Sequence, residues 1–395
     1  MASQSRDAAI VGIYELPERK VDGLSPLQIK AECAAKALAD AGLGWSDVDA
    51  LYDAGEGGGF SGLNVAEYFG IHPTVIDTTG VGGSSYEFHA AHARTDIAAG
   101  RAKVGLLTYG STQASASRHT GTAVGGGSPD PGSNMEGPWG QTLISMYAMA
   151  ARRHMHQYGT TSAQLAEIST ATRAHAMRNP QAVKAMEDLL FQNIRETTID
   201  DVLSSRMIAD PLRLLECCMV SDGGGAVVIA SPEVARTCAK PPVWIIGAGE
   251  ATQYQQSGGD ITTSAGAQSA PIAFGQAGIR PDELDIAMVY DSFSITVMIL
   301  LEDLGFCAKG EGGAWVEGGR LRWDNPNGPA LNTDGGGLSS NHPGMRGIFL
   351  LLEAARQLRG ESTSQVEGAK LAVAHGNGGQ LAGRHSGGTI LLARD

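Results

Sequence analysis

Cysteine is scarce in this chain. Five cysteines, Cys33, Cys217, Cys218, Cys238 and Cys307, are spread over 395 residues with no CxxC pair and no His/Cys cluster at ligand spacing. Neither a disulfide framework nor a zinc site is supported, and a reducing, cytoplasmic setting is expected. Long apolar runs are missing too. The longest clear one, residues 295–301, has the length of a buried helix segment, far short of the roughly 20 residues a membrane span needs. No basic stretch joined to an apolar one opens the chain, so no export signal is expected. Positive charge is in deficit: 29 Lys and Arg stand against 42 Asp and Glu, a formal net charge of -13. No basic stripe is available to neutralise phosphates, which excludes a nucleic-acid surface. The length exceeds what one hydrophobic core serves, so two lobes are expected.

What the chain has in abundance is glycine, and its placement is informative. One glycine-rich turn reads Asp77-Thr-Thr-Gly-Val-Gly-Gly-Ser-Ser85, and another reads Asn332-Thr-Asp-Gly-Gly-Gly-Leu-Ser-Ser-Asn-His-Pro-Gly344. Each leads into a helical pattern (84–99 and 344–358) and then a strand (104–109 and 370–375). Upstream the correspondence continues. Ala37-Leu-Ala-Asp-Ala-Gly-Leu43 with Ser46-Asp-Val-Asp-Ala-Leu-Tyr-Asp53 is echoed by Ala273-Phe-Gly-Gln-Ala-Gly-Ile279 with Pro281-Asp-Glu-Leu-Asp-Ile-Ala-Met-Val-Tyr-Asp291. Tyr52-Asp53 thereby answers Tyr290-Asp291. Apolar runs of strand length, 8–13 and 243–247, precede the two copies. Each half reads β-α-β-turn-α-β, an alternation that predicts mostly parallel sheet covered by helices. The expected fold class is layered α/β, with an N-terminal half over 1–240 and a C-terminal half over 241–395.

An excursion over 111–213 interrupts the first half. A Gly/Ser/Pro-rich loop, 111–140, precedes helical patterns over 141–158, 161–178 and 182–192, the second opened by Thr161 as N-cap and closed before Pro180. Excursions of this length serve as lids or binding segments, so this one is expected to face substrate, with a dimerisation arm as the alternative or additional role. Gly57-Gly-Gly-Phe-Ser-Gly62 formally satisfies GxGxxG. It follows the second strand of its unit and lacks an acidic partner about 20 residues on, so no dinucleotide site is assigned. Cys217-Cys218 reads as a pair of buried, inert thiols.

Four elements in a fixed order, Ser221-Asp-Gly-Gly-Gly-Ala-Val-Val-Ile229, Tyr290-Asp-Ser-Phe293, Gly336-Gly-Leu-Ser339 with Asn341-His-Pro-Gly344, and His375-Gly-Asn-Gly-Gly379, resemble the thiolase superfamily over essentially the full length. Leu301-Glu-Asp-Leu-Gly-Phe-Cys307 and His342-Pro-Gly-Met-Arg-Gly-Ile-Phe349 are similar to the sterol-carrier-protein-type branch, most of all to its thiolase-like steroid side-chain aldolases. The resemblance implies a layered α/β/α/β/α fold with an insertion loop domain, a homodimer, an acyl-CoA substrate, and a small OB-fold/zinc-ribbon partner.

The same resemblance places the site. A thiolase holds its nucleophilic cysteine before a small-residue turn at a helix N-terminus, where the dipole favours a thiolate; here that slot is Gly80. Ser84 and Ser85 lie close by but are read as helix caps. The polar residue of the family's "NEAF" or "HDCF" element becomes Tyr290, a candidate general acid or base followed by Asp291. His342 matches the histidine that donates to the thioester carbonyl, flanked by Asn341 and by Ser340, where some aldolase relatives carry an aromatic residue. The acid/base cysteine slot falls at His375, a residue able to shuttle a proton.

Without either cysteine, Claisen cleavage lacks its nucleophile. A β-hydroxyacyl thioester asks only for a base, an enolate-stabilising donor and a proton for Cα. The expected activity is retro-aldol cleavage of a steroid or bile-acid β-hydroxyacyl-CoA to a ketone or aldehyde plus a short acyl-CoA, with Tyr290, His342 and His375 as catalytic residues and no added cofactor or metal. An acyltransferase with an atypical nucleophile and a non-catalytic acyl-CoA or lipid carrier are the alternatives.

Overall fold

The computed structural model describes residues 6–54, 60–116, 140, 142–254, 259–381 and 383–395. Ten strands pair into one mixed sheet. They are β1 (Ala9–Glu15), β2 (Ala50–Asp53), β3 (Val75–Asp77), β4 (Val104–Ser111), β7 (Gly223–Ala230), β8 (Val243–Gln253), β9 (Ile286–Val289), β10 (Ala330–Leu331), β11 (Leu371–Gly379) and β12 (His385–Ala393), while β5 (Met207–Ala209) and β6 (Leu212–Arg213) form a small separate ribbon. The order β10-β9-β11-β12-β8-β1-β7-β4-β2-β3 is the same five-strand arrangement written twice. In each block β2 or β9 runs parallel to its two neighbours, and β7 or β12 lies antiparallel beside the first strand of its block. The blocks meet where β1 pairs with β8, at Ala9–Trp244 and Ile10–Val243, with Ile245 N–H donating to the Ala8 carbonyl at 3.0 Å.

The repeat extends to atomic packing. A Cβ on Gly12 would overlap the Ala37 carbonyl oxygen and meet the Ala41 methyl; a Cβ on Gly247 would overlap the Ala273 carbonyl oxygen and meet the Ala277 methyl. The helices Pro26–Ala41 and Gly266–Ala277 therefore lie directly on their strands, one on each outer face. Between the two blocks run Ser85–Ala98 and Gly347–Arg359, each touching strands of both halves. The layers are thus α/β/α/β/α.

The ladder corrects one sequence correspondence. Asp49 takes the N–H groups of Lys103 and Val104, and Asp285 takes those of Lys370 and Leu371. With Asp49 equivalent to Asp285, Tyr52 answers Met288, and Tyr290 stands two residues further along, past the end of its strand. Tyr52 is buried and donates to Asp96 at 2.7 Å. It is a core residue. The short strands β3 and β10, and β12, also escape the expected β-α-β-turn-α-β pattern.

Most of the 111–140 loop and part of the Gly57–Gly62 motif lie outside the described residues. The insertion's helices are Leu143–Tyr158, capped by Thr142, Ser162–Ala176, capped by Thr161, Pro180–Asp188, capped by Asn179, and Ile199–Ser204. The Ser162 helix rests on Ser294–Asp303 and on Gly336–Ser339, so the insertion covers elements that follow Tyr290 and precede His342.

Candidate active site

The second glycine-rich turn is built around buried charge. Gly335 and Gly336 adopt φ of +103° and +68°, which only glycine takes without strain, and a Cβ on Gly336 would overlap the Asp291 carboxylate. Asp291 instead accepts from the N–H groups of Gly337 (2.8 Å) and Leu338 (3.1 Å), which open the short Gly336–Ser339 helix. Arg346, fully buried, donates to Asp291 at 3.1 Å, to both oxygens of Asp334 at 2.7 and 2.8 Å, and to the side chain of Asn341. Burial pushes the Asp291 carboxyl up to about 6, while Arg346 and the two N–H groups pull it down.

That framework fixes the Asn341-His342-Pro343 segment atom by atom. Asn341 donates to Glu15 at 2.9 Å, the His342 N–H donates to Ser221 at 3.0 Å, and Tyr109 donates to the Pro343 carbonyl while accepting from Met345 N–H at 3.0 Å. The His342 ring is thereby held with Nε2 3.0 Å from the Tyr290 hydroxyl, the two rings edge to face. Both residues are buried. Burial first, then the nearby Arg346 charge, lowers the His342 pKa to about 4, so its imidazole is neutral near pH 7. Burial and then the neighbouring Cys218 raise the Tyr290 phenol well above its ordinary value, with the Arg346 backbone N–H opposing. The Nδ1 of His342 has no partner among the described residues.

The first glycine-rich turn meets this pair with bare backbone. A Cβ on Gly83 would overlap the Tyr290 ring and the Asn377 carbonyl oxygen, whereas a Cβ on Gly80 would lie 2.9 Å from the Ala54 carbonyl oxygen. Gly83 is thus the residue of this turn that faces the pair. Both positions are glycine, so neither supplies a nucleophile. Ser84 does not cap the helix; its hydroxyl pairs with Ser386 at 2.7 Å, while Ser85 accepts from Val81 N–H and donates to Gly82 O.

His375 is a correction. Alternation on β11 sends the neighbouring Gly376 toward the central helices and His375 to the opposite face. There its Nδ1 meets Thr389 at 2.9 Å and its ring lies against Gly266. Burial lowers its pKa to about 3. Its carbonyl accepts from the Tyr290 N–H at 3.0 Å, but its imidazole points away from the Tyr290–His342 pair. Ser340 is buried with no partner for its hydroxyl among the described residues, and Asn341 acts as a brace between Glu15 and Arg346. Arg346, Asp334, Ser221 and Tyr109 escaped the sequence reading as site-builders. Only the arginine of the His-Pro-Gly-Met-Arg run offered a signal, since a charge in an apolar, glycine-rich stretch calls for a buried partner.

A cavity of about 600 Å³ is lined by Cys218 and Leu338, which neighbour the pair's supporting elements, though neither Tyr290 nor His342 lines it. Its floor includes Cys217, Cys218, Met219 and Leu338, its wall Leu189 and Phe191, and Arg195 and Arg206 stand among its lining. Every thiol in the chain is pushed up by burial, those of Cys33, Cys217 and Cys307 to about 12, so no thiolate is available near neutral pH.

Residues 247–392 match the model of the thiolase C-terminal domain-like family. The chain is 34% identical to a steroid side-chain-cleaving aldolase from Thermomonospora curvata, over 91% of this chain and 92% of that one. These full-length matches decide the family. The chain belongs to the thiolase superfamily, in its sterol-carrier-protein-type branch. It is likewise 34% identical to the 17-hydroxy-3-oxo-4-pregnene-20-carboxyl-CoA lyase of Mycobacterium tuberculosis, over 93% and 95% of the two chains, and 33% identical to an acetyl-CoA acetyltransferase of Methanothermobacter thermautotrophicus, over 95% and 97%. The solved Ltp2-ChsH2(DUF35) aldolase superposes with a TM-score of 0.86 and 31% identity, over 99% of each chain.

Proposed function

We propose that this thiolase-superfamily member is a carbon–carbon lyase that cleaves β-hydroxyacyl-CoA esters of steroid or bile-acid type to a ketone or aldehyde and a short acyl-CoA. The observation that carries the reading is the buried Tyr290–His342 hydrogen bond packed against Gly83, in a turn whose nucleophile slot by resemblance is also a glycine, Gly80. Retro-aldol cleavage moves one proton from the β-hydroxyl to Cα. The substrate hydroxyl hands its proton to the Tyr290 oxygen as the Tyr290 proton passes to Nε2 of His342. The Cα–Cβ bond then breaks to give carbonyl product and thioester enolate, and the proton returns through the same pair to Cα. The high phenol pKa favours this relay over a standing phenolate base. His342 therefore acts through Tyr290, not at the far end of the substrate.

The cavity beside Cys218 and Leu338 accommodates the thioester arm, with Arg195 and Arg206 among the lining groups that suit its phosphates. An acyltransferase reading draws on the acetyl-CoA acetyltransferase relative, but five thiols with raised pKa leave it no nucleophile. A homodimer, a DUF35-type partner with the OB-fold/zinc-ribbon architecture, and a cytoplasmic location complete the proposal. Incubation with a panel of steroidal β-hydroxyacyl-CoA esters, with and without such a partner, tests it by mass spectrometry. Equimolar ketone or aldehyde and short acyl-CoA are expected; binding without turnover would make the chain a carrier. Bulky thiol reagents are poor probes, because Cys217 and Cys218 line the cavity.

A further inference from the structure

A carboxylic acid that no other side chain answers lies in the central layer, one glycine behind the pair. Glu87, in the first turn of the Ser85–Ala98 helix, is wholly buried, and neither carboxyl oxygen has a hydrogen-bond partner among the described residues. Its surroundings are shaped to hold it. Cβ atoms on Gly347, Gly376 or Gly388 would each collide with the Glu87 side chain, so three glycines from three different elements clear its space. A Cβ on Gly347 would meet both the Gly83 carbonyl oxygen, at 2.5 Å, and Glu87 Oε2, at 2.6 Å. Gly83 in turn carries the Tyr290 ring on its other side.

No charge faces Glu87. Gly83 and Ser84 in the turn before its helix, Gly347 on the other central helix, Gly376 on β11 and Gly388 on β12 are uncharged. Arg346, next to Gly347, commits its guanidinium to Asp291, Asp334 and Asn341. His375 and His385 stand on the opposite face of β11 and β12. Burial alone pushes the carboxyl up to about 8, with its own N–H opposing, so it is uncharged near neutral pH.

We propose that Glu87 makes the cleavage sensitive to pH: a negative charge on this buried, unpartnered carboxyl behind Gly83 and Tyr290 opposes the enolate as it forms. The proposal rests on the retro-aldol reading above. An ionised Glu87 would oppose the enolate charge through a water-poor layer, an effect worth roughly ten- to a hundredfold in rate. The ionised acid cannot discharge onto a neighbour.

The test is the pH dependence of kcat for the wild type and for Glu87→Gln, with Glu87→Leu as a second neutral variant should Gln perturb folding. The wild type should lose ten- to a hundredfold between pH about 7 and about 9.5, while the neutral variants match it at pH 7 and hold their rate through the alkaline range. An alkaline loss that persists unchanged in both variants, or is absent from the wild type, overturns the proposal. Infrared spectra read the acid without turnover: the C=O stretch of a protonated carboxyl should be present at pH 7, fade through pH about 8, and be missing from Glu87→Gln. If that band behaves so and no ester is cleaved, the retro-aldol reading fails and the ionisation of Glu87 stands; if the band is absent at pH 7, the proposal for Glu87 fails on its own.

Discussion

The two glycine-rich turns occupy matching places in the repeat and do opposite things with their glycines. In the first, glycine removes side chains so that backbone can press against the other half: Gly82, at φ +77°, abuts Gly378, and Gly83 abuts Tyr290. In the second, glycine makes room for buried charge, and Asp291, Asp334 and Arg346 then brace a histidine. The duplicated scaffold is asymmetric, one half supplying a surface and the other the hydrogen-bonded Tyr290–His342 pair to which proton transfer is assigned in the proposal. Losing a nucleophile is therefore compatible with a fully organised site.

Breaking the charged brace should have the largest effect. Arg346→Met leaves Asp291 and Asp334 buried without their counter-charge, with backbone N–H groups as their remaining donors, and removing one member of a buried ion pair costs about 3–5 kcal/mol. Urea unfolding should show at least that loss; a change under 1 kcal/mol would mean that the brace is dispensable. Tyr290→Phe keeps the ring against Gly83 and removes the hydroxyl, so kcat should fall by roughly 10²–10⁴ with the fold intact. Turnover near the wild-type rate would reduce Tyr290 to packing.

The first turn can be probed by contrast. Gly83→Ala forces a methyl into the Tyr290 ring and should lower kcat by roughly tenfold or more, because misplaced groups lose their alignment. Gly80→Ala crowds the Ala54 carbonyl oxygen, among the described residues, and should lower stability more than kcat. Equal kinetic losses at both would blur the distinction between them.

Acid should act through the buried imidazoles. His89, His342 and His385 have folded pKa values lowered to about 4 and His375 to about 3, against an ordinary 6.5, with burial the first cause in each. Below about 6.5 the unfolded chain binds protons that the folded chain refuses, so stability is complete above that pH and drains away as pH falls toward 4. A melting temperature that stays flat from pH 7 to 4.5 would contradict this. The smallest effect is expected at His375: since its ring faces Thr389 and Gly266, His375→Gln should change kcat by less than about threefold, whereas a loss on the scale of Tyr290→Phe would put it back in the reaction.

Much of this was legible in the sequence. The Gly12–Ala37 and Gly247–Ala273 contacts are what make the two halves look alike, and the cap Thr161 marks its helix on chemistry alone, whereas Asn179, read as the end of one helix, also caps the next. Motif order placed Tyr290 and His342 before any geometry was known. His375 was misplaced because a strand presents its residues to alternating faces, and only pairing with Thr389 and the packing of Gly376 reveal which face is which. Tyr52 was matched to Tyr290 because the dipeptides are identical, while the ladder at Asp49 and Asp285 sets the true register two residues away. Arg346 was visible as a residue and invisible as a brace, since Asp291 and Asp334 are brought to it by separate loops.

The central claim is that cleavage runs through an enolate released without covalent attachment to the enzyme. It is tested most directly by single-turnover cleavage of a β-hydroxyacyl-CoA ester in D₂O with no free CoA added, followed by mass spectrometry of products and intact protein. The account predicts full cleavage, one solvent deuterium at Cα of the short acyl-CoA, and an unmodified protein mass. Dependence on added CoA, or an acyl adduct on Ser84, Ser85 or any cysteine, would contradict it.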